Sequence, residues 1–147
     1  MRTHLCIVLS VAVIFGVAHA GDDSAKESAK LAGTWEPTAA EDYGQKLPEE
    51  QVKNLRLVLT GDEFTTSDGD TTVMKGNFKI DPVKKPKRID LKSTSGRHKG
   101  KTLEGIYELD GDSLKICFVE PGGKRPKELT STLDNSAFLL VCKRKKQ

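Results

Sequence analysis

Two alternating arms joined by a tight turn, in residues 105–118 and the strand residues just before them, constrain this chain more than any other feature. Leu103, Tyr107 and Leu109 share one parity against Glu104, Glu108 and Asp110, and beyond the turn Leu114, Ile116 and Phe118 oppose Asp112 and Lys115. Alternation with a period of two puts apolar side chains on one face of a strand and polar ones on the other. Asp110-Gly111 between the arms supplies the positive φ angles of a two-residue hairpin. A β-hairpin with one wet face belongs to an antiparallel sheet. It says nothing by itself about activity.

The same grammar recurs along the chain. Residues 31–37 open a first strand; Leu55, Leu57 and Leu59 alternate with Arg56 and Val58 in a second; Gly61-Asp62 turns it into a third around Phe64. Met74, Phe78 and Ile80 oppose Lys75, Asn77 and Lys79 in a fourth that stops at Asp81-Pro82, and Ile89 and Leu91 mark a fifth. The hairpin supplies the sixth and seventh. Pro121-Gly122-Gly123 breaks the chain, residues 127–132 read as a short strand, and 138–143 as the last. Residues 38–51 contain Gly44, Pro48, Glu41, Asp42, Glu49 and Glu50, too polar for a core element, so a long loop is expected there, with one helical turn started by Pro48. Strands without a long helical period, joined by Gly, Asp and Pro turns, predict an all-β antiparallel barrel or sandwich of eight to nine strands.

Residues 1–20 carry Arg2, an apolar run from Leu5 to Val17 and then Ala18-His19-Ala20, the pattern of a cleaved secretory signal peptide. The run is shorter than the roughly 20 apolar residues of a membrane span, and no second run follows, so the expectation is a periplasmic or extracellular chain that does not span a membrane. Taking the 20 residues of the signal from 147 leaves 127, one domain's worth: a polar linker at 21–30, a β-domain at 31–144 and a basic tail at 145–147. Residues 21–80 hold 7 Lys or Arg against 12 Asp or Glu, and residues 81–147 hold 16 against 9. The halves, at −5 and +7, give a net charge too small to imply nucleic acid as a partner.

Cys117 and Cys142 are the cysteines left once the signal is removed. An oxidising compartment permits a disulfide between them if their strands are neighbours and both side chains leave one face. Cys117 points away from the face of Leu114, Ile116 and Phe118, whereas the continuous apolar run of Phe138, Leu139, Leu140 and Val141 leaves Cys142 undecided. Two independent small hydrophobes is the competing reading.

Leu31-Ala32-Gly33-Thr34-Trp35, with Arg144 in the final strand, resembles the lipocalin signature. The resemblance implies a lipocalin-like up-and-down barrel in which Trp35 plugs the closed end and Arg144 packs over its ring. A guanidinium on an indole face is attractive by about 0.5–2 kcal/mol and would tie the two chain ends together. More specifically, Lys79-Ile80-Asp81-Pro82, Pro86-Lys87-Arg88-Ile89-Asp90-Leu91, Gly100-Lys101-Thr102-Leu103-Glu104-Gly105-Ile106-Tyr107, Gly111-Asp112-Ser113-Leu114-Lys115-Ile116-Cys117-Phe118 and Pro121-Gly122-Gly123-Lys124-Arg125-Pro126 resemble the planctomycete-type lipocalin-like domain family over residues 31–144. That family has no established activity, so the resemblance carries over a fold and an export route but no catalytic residue.

Chemistry-bearing clusters are sparse. His98 stands alone in the mature chain beside Arg97 and Lys99, without the further donors of a zinc site or an oriented base, and reads as a solvated turn residue. Asp68-Gly69-Asp70 and Asp110-Gly111-Asp112 fall where hairpin turns are needed and lack the twelfth-position ligand of a calcium loop. No metal, cofactor or catalytic residue is expected, and a monomer that binds rather than catalyses is. Leu57, Met74, Phe78, Ile89, Tyr107 and Ile116, with Leu139, are the expected interior; the first six are candidate contacts for a small apolar or amphipathic ligand. In the alternative the barrel is filled, and Lys84, Lys85, Lys87, Arg88, Lys124 and Arg125 form a basic rim that binds an anionic envelope polymer. In a lipocalin-like barrel residues 38–51, which follow the first strand, lie over the open mouth, and the resemblance implies a lid there.

Overall fold

The computed structural model describes residues 20–146, so the expected signal peptide, apart from Ala20, lies outside the described residues. A helix, α1 (Ala20–Leu31), precedes β1 (Gly33–Asp42), a short β2 (Gln45–Lys46) and one helical turn, α2 (Glu49–Val52). There follow β3 (Leu55–Thr60), β4 (Glu63–Asp68), β5 (Thr71–Asp81), β6 (Lys87–Ser93), β7 (Thr102–Asp110), β8 (Ser113–Val119) and β9 (Ala137–Arg144). Each strand from β3 to β9 pairs antiparallel with the next, and β9 returns to β1, closing an eight-strand up-and-down barrel to which β2 is an added edge. Of the barrel or sandwich expected from the alternating strands it is the barrel, with the up-and-down order that the lipocalin resemblance implies.

Closure rests on the two chain ends. β1 pairs with β3 only from Gly33 to Trp35, but with β9 all the way from Trp35↔Arg144 to Asp42↔Phe138. A bulge between Pro37 and Ala39 lets β1 accommodate a residue with no N–H and continue. The strand therefore outruns its expected end at Pro37 by five residues. Tyr43 and Gly44, both with positive φ, turn it into β2, and Pro48 starts α2 as expected. The β2–α2 segment fills the wedge where β1 and β3 part, adding Leu47 and Val52 to the core. It is a piece of wall where a lid was expected.

Two layers of core result. Inward-facing residues of all eight strands form one cluster with Leu31 of α1. A second, made of Ile106, Cys117, Val119, Ala137 and Leu139, lies outside the barrel on β7, β8 and β9. Residues 120–136 cover it. They form no strand, contrary to the expectation for 127–132, because β8 and β9 already pair directly from Ser113↔Lys143 to Val119↔Ala137 and leave no slot between them. The segment is held by side chains instead: Ser131 Oγ donates to Ala137 O at 2.6 Å and accepts from Gly44 N–H, Asn135 caps Thr132 and Ala137 N–H groups, and Cys117 Sγ meets Thr130 O at 3.4 Å. Arg125 anchors its start.

The same register settles the cysteines. Cys142 lies opposite Leu114 and faces the barrel interior, while Cys117 lies opposite Leu139 in the outer cluster. Opposite faces forbid a bond whatever the compartment, and both thiols are free and buried. Leu139, expected inside, is outside for the same parity reason, and Leu140 is its inward neighbour.

Gly76 shows how tightly β5 and β6 approach. A Cβ there would lie 1.9 Å from the carbonyl oxygen of Lys92 and 3.0 Å from the Phe64 ring. Gly76→Ala must therefore move backbone. We expect it to cost about 1–3 kcal/mol, the range of an overpacked core, seen as a lower thermal midpoint with faster amide exchange along β5 and β6. An unchanged midpoint would contradict the close approach.

Candidate functional site

The two ends of the barrel are built differently. At the end where β1 begins, Trp35 is 0% exposed, its indole N–H donates to Leu31 O at 2.9 Å, and the Arg144 guanidinium lies 4.3 Å from its ring centre. Arg144 also donates to Ala32 O at 2.6 Å and Lys30 O at 2.5 Å. One arginine and one indole thus satisfy the C-terminal carbonyls of α1, which a helix otherwise leaves unpaired. Gly33 is required beside them: its φ is +137°, and a Cβ would meet Arg144 Nη1 at 2.9 Å. The structure thus joins Gly33, Trp35 and Arg144 in one closure.

From α1, Glu27 reaches into this closed end. Its Oε1 takes hydrogen bonds from Lys87 Nζ at 2.5 Å and from the Tyr107 hydroxyl at 3.2 Å, and Lys87 also stands 5.9 Å from the Tyr107 ring centre. Burial, reinforced by the Glu27 charge, pushes the Tyr107 phenol well above its ordinary range. The residues expected to touch a ligand divide here. Phe78, Ile89 and Tyr107 pack into the core and are not in the wall of the cavity at the other end. Parity sent all six candidates inward but did not give their height along the barrel.

At the opposite end a cavity of about 470 Å³ opens to solvent. Roughly 300–1,000 Å³ is the usual size of a small-molecule site. Leu57, Met74 and Ile116, the other three candidates, line it. So do Leu59, Phe64, Leu91, Leu103 and Leu140, with Phe118 and Phe138 paired across β8 and β9 at a centroid distance of 5.4 Å. Alternation alone could have named Phe64, Leu91, Leu103 and Phe118. The unbroken apolar run 138–141 concealed which of its residues face inward. Polar groups gather at the lip: Asp42 and Tyr43 from the β1–β2 turn, Arg56, Ser67, and Arg97, His98 and Glu120. Arg97 and Glu120 pair at 3.0 Å and both are exposed. His98, expected as a solvated turn residue, is half-buried at this lip. Apolar walls below and polar groups above fit a ligand with an apolar body and a polar end.

The expected basic rim is not assembled. The connection holding Lys84 and Lys85 joins β5 to β6 at the closed end, whereas residues 120–136 leave β8 at the open end, because three antiparallel strands separate the two connections. Lys87 turns inward to Glu27. Arg125 lies flat on the outer face of β6 and β7, pairing with Asp90 at 2.7 Å and Glu104 at 3.5 Å and donating to Gly105 O at 2.8 Å. Lys124 and Arg88 remain exposed, in different places.

The fold and this cavity define the class: a closed lipocalin-like β-barrel, solid at one end and hollow at the other. No helix among the described residues is long and apolar enough to cross a membrane. Comparisons with protein families, curated proteins and solved structures return no match.

Proposed function

We propose that this protein binds a small apolar or amphipathic molecule in the open half of its barrel and does not transform it. The observation that carries the reading is the cavity of about 470 Å³, walled mainly by leucine, methionine, isoleucine and phenylalanine side chains, with most of its polar groups at the lip. An apolar void of that size is a favourable destination for apolar surface, at about 25 cal/mol per Å² removed from water. The proposal includes export by a cleaved signal, on the pattern of residues 1–20, and kinship with the lipocalin-like family, on the Gly33, Trp35 and Arg144 set.

N-phenyl-1-naphthylamine, whose fluorescence rises in apolar surroundings, tests it. Saturable binding at one site per chain is expected, and Met74→Trp, which fills the cavity from β5, should weaken it at least about tenfold, since loss of one buried apolar contact surface is worth 1.4 kcal/mol or more. Absence of saturable binding, or binding indifferent to Met74→Trp, would end the carrier reading. Native mass spectrometry of protein isolated from its source would then show whether an endogenous molecule travels with it.

A further inference from the structure

We infer that the outer face of β5 and β6 is a docking strip for a linear anionic polysaccharide, a second binding surface independent of the cavity. The register places its cations. Asn77 lies opposite Lys92, Lys79 opposite Asp90 and Asp81 opposite Arg88, all on the outward parity. Lys92 is therefore the diagonal neighbour of both Lys75 and Lys79, and Lys79 of Arg88, a zigzag with steps of about 7–8 Å. Lys75 and Lys79 stand about 13 Å apart along β5, at 3.3 Å per residue, and Lys84 and Lys85 prolong the strip beyond Arg88. All six are exposed, and among the described residues none of them is ion-paired.

The acids beside this face are too few to neutralise it: two of the four are held by Arg125, which leaves Asp81, opposite Arg88, and Glu63, opposite Asn77 on β4, against six cations. Arg125, reaching over from the covering segment, takes Asp90 and Glu104, and Asp81 Oδ1 accepts the N–H of Val83. The excess of like charges set diagonally is a mutual repulsion that an arriving polyanion would relieve. The face is convex across its strands and its cations run along them, so it matches a chain of spaced charges better than a plane of them. Its outward residues, Lys75, Asn77, Lys79, Asp81, Arg88, Asp90 and Lys92, include no aromatic ring on which a nucleobase could stack, and the exposed apolar side chains nearby, Val73 and Val83, are small aliphatics at opposite ends of the strip, not a continuous apolar face for a lipid interface. Ammonium groups on long flexible stems suit the sulfates or carboxylates of a sugar polymer, which are separated and variably spaced.

A fluorescent heparin oligosaccharide serves as the probe, titrated at about 0.1 M salt, with phosphatidylglycerol vesicles and a single-stranded oligonucleotide as competitors. Lys75→Gln, Lys79→Gln, Arg88→Gln and Lys92→Gln combined should weaken heparin binding at least about tenfold and flatten its salt dependence, since affinity for a polyanion scales with the number of charges it meets. A control of equal charge, Lys46→Gln, Lys115→Gln, Lys143→Gln and Lys145→Gln, should change it less than about threefold. Equal losses in the two variants would reduce the effect to net charge and overturn the assignment, as would a wild-type protein that ignores heparin. Tighter binding of vesicles or oligonucleotide than of heparin would overturn the choice of partner. The eight positions are exposed, so circular dichroism of both variants should match the wild type, and naphthylamine binding should persist in both.

Discussion

Trp35→Ala is expected to destabilise the protein by about 3–5 kcal/mol, the cost of removing a fully buried large aromatic side chain. Three effects act together at this site. The indole is 0% exposed within the closed end, so truncation leaves a void that the eight-strand wall cannot collapse to fill. Its N–H satisfies Leu31 O, which would be left bare. Its face carries the Arg144 guanidinium, whose other bonds run to Lys30 O and Ala32 O, so α1 loses its fixed end as the stack goes. Against a total of about 5–15 kcal/mol for a domain, the loss should move the denaturant midpoint by a large fraction at unchanged m. Trp35→Phe separates the contributions: it keeps a ring for Arg144 but not the donor, and should cost about 1–3 kcal/mol. A Trp35→Ala protein as stable as the wild type would mean that β1 and β9 hold the barrel shut without the plug.

This closure is legible in the sequence because its parts are chemically distinctive: a glycine two residues before the single tryptophan, and an arginine at the end of the last apolar run. Strand alternation made the barrel legible too, from β3 to β8. What escaped depends on distance through space. Six inward residues were recognised by parity, yet only the stagger of the closed sheet decides that Leu57, Met74 and Ile116 reach the cavity while Phe78, Ile89 and Tyr107 fill the base. Residues 120–136 misled in the other direction. Leu129 packs on an apolar outer face of β7 to β9, and a segment with one apolar contact to make can look like a strand when the surface it covers is not yet known. Sequence alone makes Arg125 and Lys87 look like surface charges, because their carboxylate partners, Asp90 and Glu104 for one and Glu27 for the other, lie 21 to 60 residues away. β1 ran past its expected end because Pro37 sits at a bulge, where a missing N–H costs no ladder bond.

Alkaline pH should unfold the protein through three groups that the fold keeps protonated. Burial raises the Cys117 thiol to about 11, partly opposed by the Thr130 backbone, raises the Cys142 thiol to about 12, and raises the Tyr107 phenol above its ordinary range. In the unfolded chain the thiols titrate near 8.5 and the phenol near 10. Below about pH 8 all three are protonated in both states, so their contribution to stability is present in full and flat with pH. From about pH 9 upward the unfolded chain releases protons that the native barrel retains, so stability falls by about 1.4 kcal/mol per pH unit for each group in play until pH passes its native value. By pH 11 the two thiols alone account for a loss on the order of 5 kcal/mol, comparable to the whole stability of a domain. Urea titrations between pH 7 and 11 should show midpoints that hold steady and then drop. Cys117→Ala with Cys142→Ala should lower stability modestly at pH 7, by about 1 kcal/mol per site for the small voids, and flatten the fall between pH 9 and 11. Because the thiols face opposite sides of the sheet, a reductant should leave the neutral-pH midpoint where it is. An alkaline profile identical in wild type and double variant would show that water reaches both thiols in the native state, and that neither the barrel core nor the covering segment is closed over them.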